Sequence, residues 1–293
     1  MSMLELEHIH LDFPDKPNVL ADINLQADGG EIVGLVAPNG MGKTTLLKVI
    51  LNRLHPSNGA VRIQEQGYTS QAQTRKNHAL ICAFPEQSDL YGDLSGRAHM
   101  QFYADCWQNK TKSIAEIITT LNMDSYVDRP TRTYSLGMKQ RLCFAMVMAA
   151  NTPVMLLDEV MNGLDPLNVA MISEQLRRLR AEGKLVLIVS HLLNNLQTYV
   201  DRTIFLKDGH FVLDIDAHTV PAQYLKFSGD PAQVSGATAY TETMNTLPLA
   251  GLDGARVGAL ASQLFTAGVA FTVGPLTLEE QFSHFYAQAD EHV

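Results

Sequence analysis

Between residues 3 and 36, apolar positions recur every second residue or in short unbroken runs. Leu4-Glu5-Leu6, Ile23-Asn24-Leu25 and Ile32-Val33-Gly34-Leu35-Val36 are the clearest. That period and length predict strands, and Asp28-Gly29-Gly30 supplies a turn between the last two, so an N-terminal antiparallel sheet is expected. The period then changes. A helix is predicted from Thr44 to about Leu54, stopped by His55-Pro56, with Asn58-Gly59 as the next turn. From Leu94 to Ala150 helical spacing dominates: Ile114, Ile117, Ile118 and Leu121 share a face, and Ser135 opens another apolar helix.

From Val154 the chain alternates. The run VMLL is followed by a helix after Pro166 carrying Val169, Ile172, Leu176 and Leu179; Gly183 ends it before LVLIV at 185–189. Such alternation means crossover units and a parallel sheet, with loops at the strand ends carrying the chemistry. Asp208-Gly209 joins two short strands near 203–213. Past about His218 the composition shifts, and Val269-Phe271-Val273 reads as a strand. Leu278, Phe282 and Phe285 line one face of a closing helix. The fold expected is α/β, a mostly parallel sheet plus the N-terminal antiparallel one. Residues 1–217 form the main domain with a helical part at about 88–150, and 218–293 form a small α/β accessory domain.

Composition narrows the partners. Over 293 residues, 46% are hydrophobic and 18% charged, which suits a globular chain with a large core. The net charge is −9, and residues 218–293 hold seven acids against Lys226 and Arg256, so the tail contributes more than half of it. No nucleic-acid partner is expected, since that surface needs clustered Lys and Arg. Cys82, Cys106 and Cys143 are scattered without a CxxC pair, as free thiols in a reducing compartment are. The N-terminus does not read as a signal peptide. Apolar runs such as LCFAMVMAA at 142–150 fall short of the roughly 18 residues that suggest a membrane span. A cytosolic chain is expected, reaching a membrane only through a partner.

Two segments carry the chemistry. GLVAPNGMGKTT at 34–45 is a strand, a glycine-bearing loop and a helix start. In it Ala37-Pro38-Asn39-Gly40-Met41-Gly42-Lys43-Thr44 follows the pattern Gly-x4-Gly-Lys-Thr, and Thr45 continues the helix. Backbone N–H groups of such a loop curl around phosphate oxygens, Lys43 supplies a positive charge, and the Thr44 hydroxyl is the expected Mg2+ ligand. The helix directs its positive end at the anion. Ala37 stands where the pattern has its first glycine. If that position needs a positive φ, alanine costs about 1–2 kcal/mol, so Ala37→Gly should bind ATP at most about tenfold tighter. The second segment, VMLLDE at 154–159, is a buried strand ending in two carboxylates. Adjacent residues on a strand point opposite ways, so Asp158 is expected on the metal and Glu159 on the attacking water as general base.

Further motifs carry a resemblance. YSLGMKQRL at 134–142, NGLDP at 162–166 and LIVSHLL at 187–193 are similar to the signature, D-loop and switch segments of ATP-binding cassette (ABC) ATPases. In order and spacing they cover residues 3–213. The resemblance implies that Phe13 stacks on adenine and that His191 binds and senses the γ-phosphate. It also implies that Ser135, Leu136 and Gly137 meet ATP in trans, in a head-to-tail pair of two copies or of one copy and a homologous subunit. Two departures bear on this. Where the family has a Gln after a strand, the chain reads Phe84-Pro85-Glu86-Gln87, so either Glu86 or Gln87 serves the metal. Val160-Met161 replaces the common Pro-Thr, which bears on turnover rather than binding.

FPEQSDLYGDL at 84–94, the signature variant and the acidic tail resemble the separate ATPase subunits of ABC-2-type exporters. That implies a transmembrane permease as partner and a location on the inner face of the cell membrane. Tyr91, Leu94, Met100 and Phe102 are candidates for the permease contact; each also fits a place in the helical part's own core. Two other roles fit the same residues: a soluble ABC ATPase outside transport, and an ATP-binding subunit with weak or no hydrolysis.

Overall fold

The first strand shows how local geometry reconciles the apolar pattern with one buried face. Leu4, Leu6, Ile9 and Leu11 are all buried, although the step from Leu6 to Ile9 breaks the two-residue period. His8 adopts a left-handed conformation (φ 49°), and the pairing register shifts there. A bulge absorbs the extra residue and returns Ile9 to the core side. The structure is a computed structural model, and it describes residues 2–108, 111, 113–190 and 193–286.

The chain forms two compact units, residues 1–216 and 217–293. In the first, β1 (Ser2–Phe13), β2 (Lys16–Asp28) and β3 (Ile32–Val36) lead into α1 (Lys43–Ile50). Then come β4 (Asn58–Ile63), β5 (Gln66–Gly67), α2 (Gln71–Leu80) and β6 (Ile81–Ala83). Helices α3 (Gly96–Cys106), α4 (Ile114–Thr120) and α5 (Leu136–Ala150) follow. The unit closes with β7 (Val154–Asp158), α6 (Pro166–Ala181), β8 (Leu185–Val189), α7 (Leu193–Leu196), β9 (Arg202–Lys207) and β10 (His210–Asp216).

An antiparallel sheet has the order β2-β1-β4-β5, and a six-stranded sheet has the order β10-β9-β3-β8-β7-β6. In the larger sheet β9, β3, β8, β7 and β6 run parallel. The turns after β3, β6, β7 and β8 therefore leave the same edge. Val189, at the end of β8, is in register with Leu35 on one side and Asp158 on the other. Strand ends bearing the phosphate-loop sequence and the carboxylates thus flank a single strand, which is where open α/β sheets bind ligands.

Several local expectations change. Helix α1 stops at Ile50 rather than near Leu54, because Asn52 is left-handed (φ 55°) and the N–H groups of Arg53 and Leu54 turn back to the Lys48 carbonyl. Asn58-Gly59 belongs to β4 instead of forming a free turn. A Cβ on Gly59 would lie 2.3 Å from the His8 carbonyl oxygen, so glycine there accommodates the β1 bulge. Polar helix α2 had no apolar period to reveal it; Ser70 caps it by accepting from the Gln73 N–H.

In the second unit β11 (Tyr224–Phe227) lies between β13 (Asn245–Pro248) and β14 (Phe271–Gly274), with β12 (Thr238–Ala239) beyond β13. Leu225 and Phe227 form a core with Leu260 and Leu264 of α8 (Gly254–Thr266). Lys226, on the opposite face, is buried and binds Glu280 of α9 (Leu278–Tyr286) at 2.9 Å. Val269 precedes β14 rather than belonging to it.

Candidate nucleotide site

Residues 37–42 turn from β3 into α1 by way of two left-handed glycines, Gly40 (φ 78°) and Gly42 (φ 96°). A Cβ on Gly42 would lie 2.9 Å from the Val19 carbonyl oxygen, so hairpin β1–β2 presses on the loop and admits only glycine. Ala37 is buried and its φ is not positive. The condition under which Ala37→Gly would tighten binding is therefore not met.

Lys43 is 7% exposed, and its ammonium donates to the carbonyl oxygens of Ala37 (2.6 Å) and Pro38 (2.8 Å). Burial lowers its pKa, opposed by the charges of Glu159 and Asp158. The cation is thus held at the loop by neutral dipoles that an anionic ligand would outcompete. The Thr44 hydroxyl donates to Asp158 Oδ2 at 3.0 Å. Burial raises the Asp158 pKa, Thr44 and Lys43 oppose this, and the charges of Glu159 and Glu86 add to it. A half-buried carboxylate with acidic neighbours and a hydroxyl beside it fits a hard cation such as Mg2+, which favours oxygen ligands.

Glu159 is not on the strand as expected: it follows β7 in a left-handed conformation (φ 52°), with its N–H donating to the Val189 carbonyl at 3.0 Å, so this turn and not strand alternation sets its direction relative to Asp158. It shares a cleft of about 630 Å³ with Asn39, Gly40, Gly42, Lys43, Thr44, Thr45, Glu86, Gln87 and Asp158. Glu86 and Gln87 separate in their contacts. Glu86 is the one whose charge reaches Asp158, whereas the Gln87 amide donates to Gln140 Oε1.

Other expected residues stand apart from this cleft. Pro38 contributes its carbonyl to Lys43, and Met41 is half-buried outside the lining. Phe13 ends β1, 39% exposed; Lys16 next to it donates to the Gly40 carbonyl at 3.0 Å and ties the hairpin tip to the loop. Ser135 caps α5 by accepting from the Met138 N–H, and Leu136 is 60% exposed. Ser135, Leu136 and Gly137 do not line the cleft of their own chain. Leu136 and Gly137 instead approach Gly163 and Leu164 of the 162–166 loop, whose Asp165 caps α6. His191 lies outside the described residues. Of the candidate permease contacts, Tyr91, Leu94 and Phe102 are exposed, but Met100 is buried: it faces the core side of α3 and is not a contact.

Residues not singled out from the sequence also line the cleft: Lys48, Arg53, Asp89, Tyr103, Gln140 and Asn162. Lys48 falls one helical turn after Thr44, a spacing that could have revealed it. Gln140 carried no such signal, because its partners come from other elements.

Comparison with known proteins adds the lineage. The family model described as ABC transporter matches residues 20–162. The ABC transporter ATP-binding protein YhcH of Bacillus subtilis is 32% identical over 213 residues, covering 72% of this chain and 69% of its own length. The lantibiotic transport ATP-binding protein SrtF of Streptococcus pyogenes is 26% identical, covering 72% and 90%. The bacitracin transport ATP-binding protein BcrA of Enterococcus faecalis is 28% identical, covering 80% and 76%. Among solved structures, the ATP-binding subunit of an ABC transporter superposes with a TM-score of 0.68 at 23% identity, over 73% of this chain and 90% of the other. A dimeric post-hydrolysis cassette bound to ADP and Pi gives 0.67 at 23%, over 74% and 100%.

Proposed function

The chain belongs to the family of ABC transporter ATP-binding proteins, and from that premise we propose that it drives export through a separate membrane-spanning permease. One observation carries the catalytic part. Lys43, Thr44, Asp158 and Glu159 converge on one cleft, while Ser135, Leu136 and Gly137 stay outside it, with Leu136 exposed.

In this reading the loop N–H groups and Lys43 bind the β- and γ-phosphates, and Phe13 stacks on adenine. Thr44, Asp158 and Glu86 hold Mg2+, which when bound neutralises charge on the phosphate oxygens. Glu159 orients water and takes its proton as the water oxygen attacks phosphorus. His191 contacts the γ-phosphate. A second subunit brings its Ser135, Leu136 and Gly137 to the same phosphates, completing the site and shielding it from bulk solvent while the one attacking water stays at Glu159. The transport names of the SrtF and BcrA relatives support the export role. No helix among the described residues is long and apolar enough to cross a membrane.

Gel filtration tests the pairing. Glu159→Gln should bind ATP without turning it over and elute as a dimer in saturating Mg-ATP. A monomer under those conditions overturns the trans arrangement. Co-purification of the tagged chain with a membrane protein tests the transport role.

A further inference from the structure

Gln140 sits on α5 little more than a turn beyond Ser135 and is 4% exposed. Its Nε2 donates to two carbonyl oxygens, those of Glu159 and Val160, each at 2.9 Å. Its Oε1 accepts from the Gln87 amide. A primary amide has two N–H bonds to give, and both go to successive backbone carbonyls, those of Glu159 and of the residue after it. The Gln87 contact decides which way the amide faces, because the flipped amide would set Oε1 against two carbonyl oxygens and leave the Gln87 donor facing another.

Glu159 needs such a hold. Its left-handed backbone is costly for a residue with a Cβ and persists where the surroundings over-determine it. The N–H is fixed from β8 by Val189, and the carbonyl accepts from Gln140 and from the N–H of Asn162. One buried amide therefore joins three parts: the turn bearing Gln87, the helix that starts at Ser135, and the loop bearing Glu159. Packing alone does not require this, since an apolar side chain of similar size would fill the same space.

We propose that Gln140 is a positioning residue for Glu159, oriented by Gln87, so that α5 and the catalytic loop move as one piece. This rests on the ATPase reading above. It also gives Gln87 a task other than metal binding.

The test uses the full chain with Mg-ATP, measuring kcat, the affinity of a fluorescent ATP analogue, the Mg2+ midpoint and the thermal midpoint. Gln140→Leu and Gln140→Glu should lower kcat roughly 10- to 100-fold, with analogue affinity unchanged within about twofold. Gln87→Leu should lower kcat less and leave the Mg2+ midpoint in place. The double variant Gln87→Leu/Gln140→Leu should be no slower than Gln140→Leu alone, because the two act through one network. Near-normal kcat in the Gln140 variants, additive losses, or a shifted Mg2+ midpoint in Gln87→Leu would each overturn the proposal. Gln87 is only half-buried, so its variant decides the question if those at 140 do not fold. A wild-type chain that binds ATP without hydrolysing it overturns the ATPase reading and this inference with it. Active Gln140 variants in a hydrolysing background overturn this inference alone.

Discussion

Ala37 and Asp158 show opposite consequences of burial at single residues. Ala37 is fully buried without a positive φ. Glycine there adds unfolded-chain entropy worth about 0.5–1 kcal/mol and removes a buried methyl worth about 0.8 kcal/mol. Ala37→Gly is therefore expected to lower the thermal midpoint by a few degrees and leave ATP affinity unchanged in titration calorimetry. Asp158 is held above its ordinary value of 3.8, first by burial and then by Glu159 and Glu86. A carboxylate raised in the folded state costs stability as pH climbs from its unfolded value through its folded one, and costs none well below both. Asp158→Asn should raise the thermal midpoint at pH 7 but not near pH 3. It should also reduce Mg-dependent turnover by about a hundredfold or more, measurable by phosphate release.

At the scale of elements, the β1–β2 hairpin and α5 each deliver a residue to a place its own neighbours do not specify. The hairpin tip is anchored by Lys16 on Gly40, and Phe13 pairs with Lys16 at that tip. Loss of one aromatic–base stack is worth about 1–3 kcal/mol. Phe13→Ala should weaken ATP binding roughly five- to a hundredfold, by fluorescent-analogue titration, and Lys16→Ala should show a smaller loss in the same assay. The strand–loop–helix at 34–45 and the strand ending at Asp158 were legible because spacing and residue type are local there, whereas the left-handed turn that holds Glu159 past the strand end was not. The end of α1 was less so: Asn52 in a left-handed turn competes with a still-apolar pattern that continues to Leu54. Gln140 was invisible, although it lies within the signature-like segment 134–142, because its role exists only through Gln87 and Glu159.

For the whole molecule, each unit carries its own core, with Leu225, Phe227, Leu260 and Leu264 at the centre of the second. A chain ending at Asp216 is expected to stay folded and bind ATP within about threefold of the full chain, checked by circular dichroism and calorimetry. A large loss would mean that the second unit supports the nucleotide site.

Sequence alone determined that a glycine-bearing loop joins a strand to the helix beginning at Lys43, and that a later apolar strand ends at Asp158, because both patterns are local in the chain. It also placed the helix-capping Ser135 and the change of composition near residue 218. Only tertiary structure decided that β8 separates the loop from the strand ending at Asp158, that Met100 is core, and that Gln87 turns to Gln140. Those outcomes depend on strand order and on hydrogen bonds between residues far apart in the chain, which no local pattern encodes.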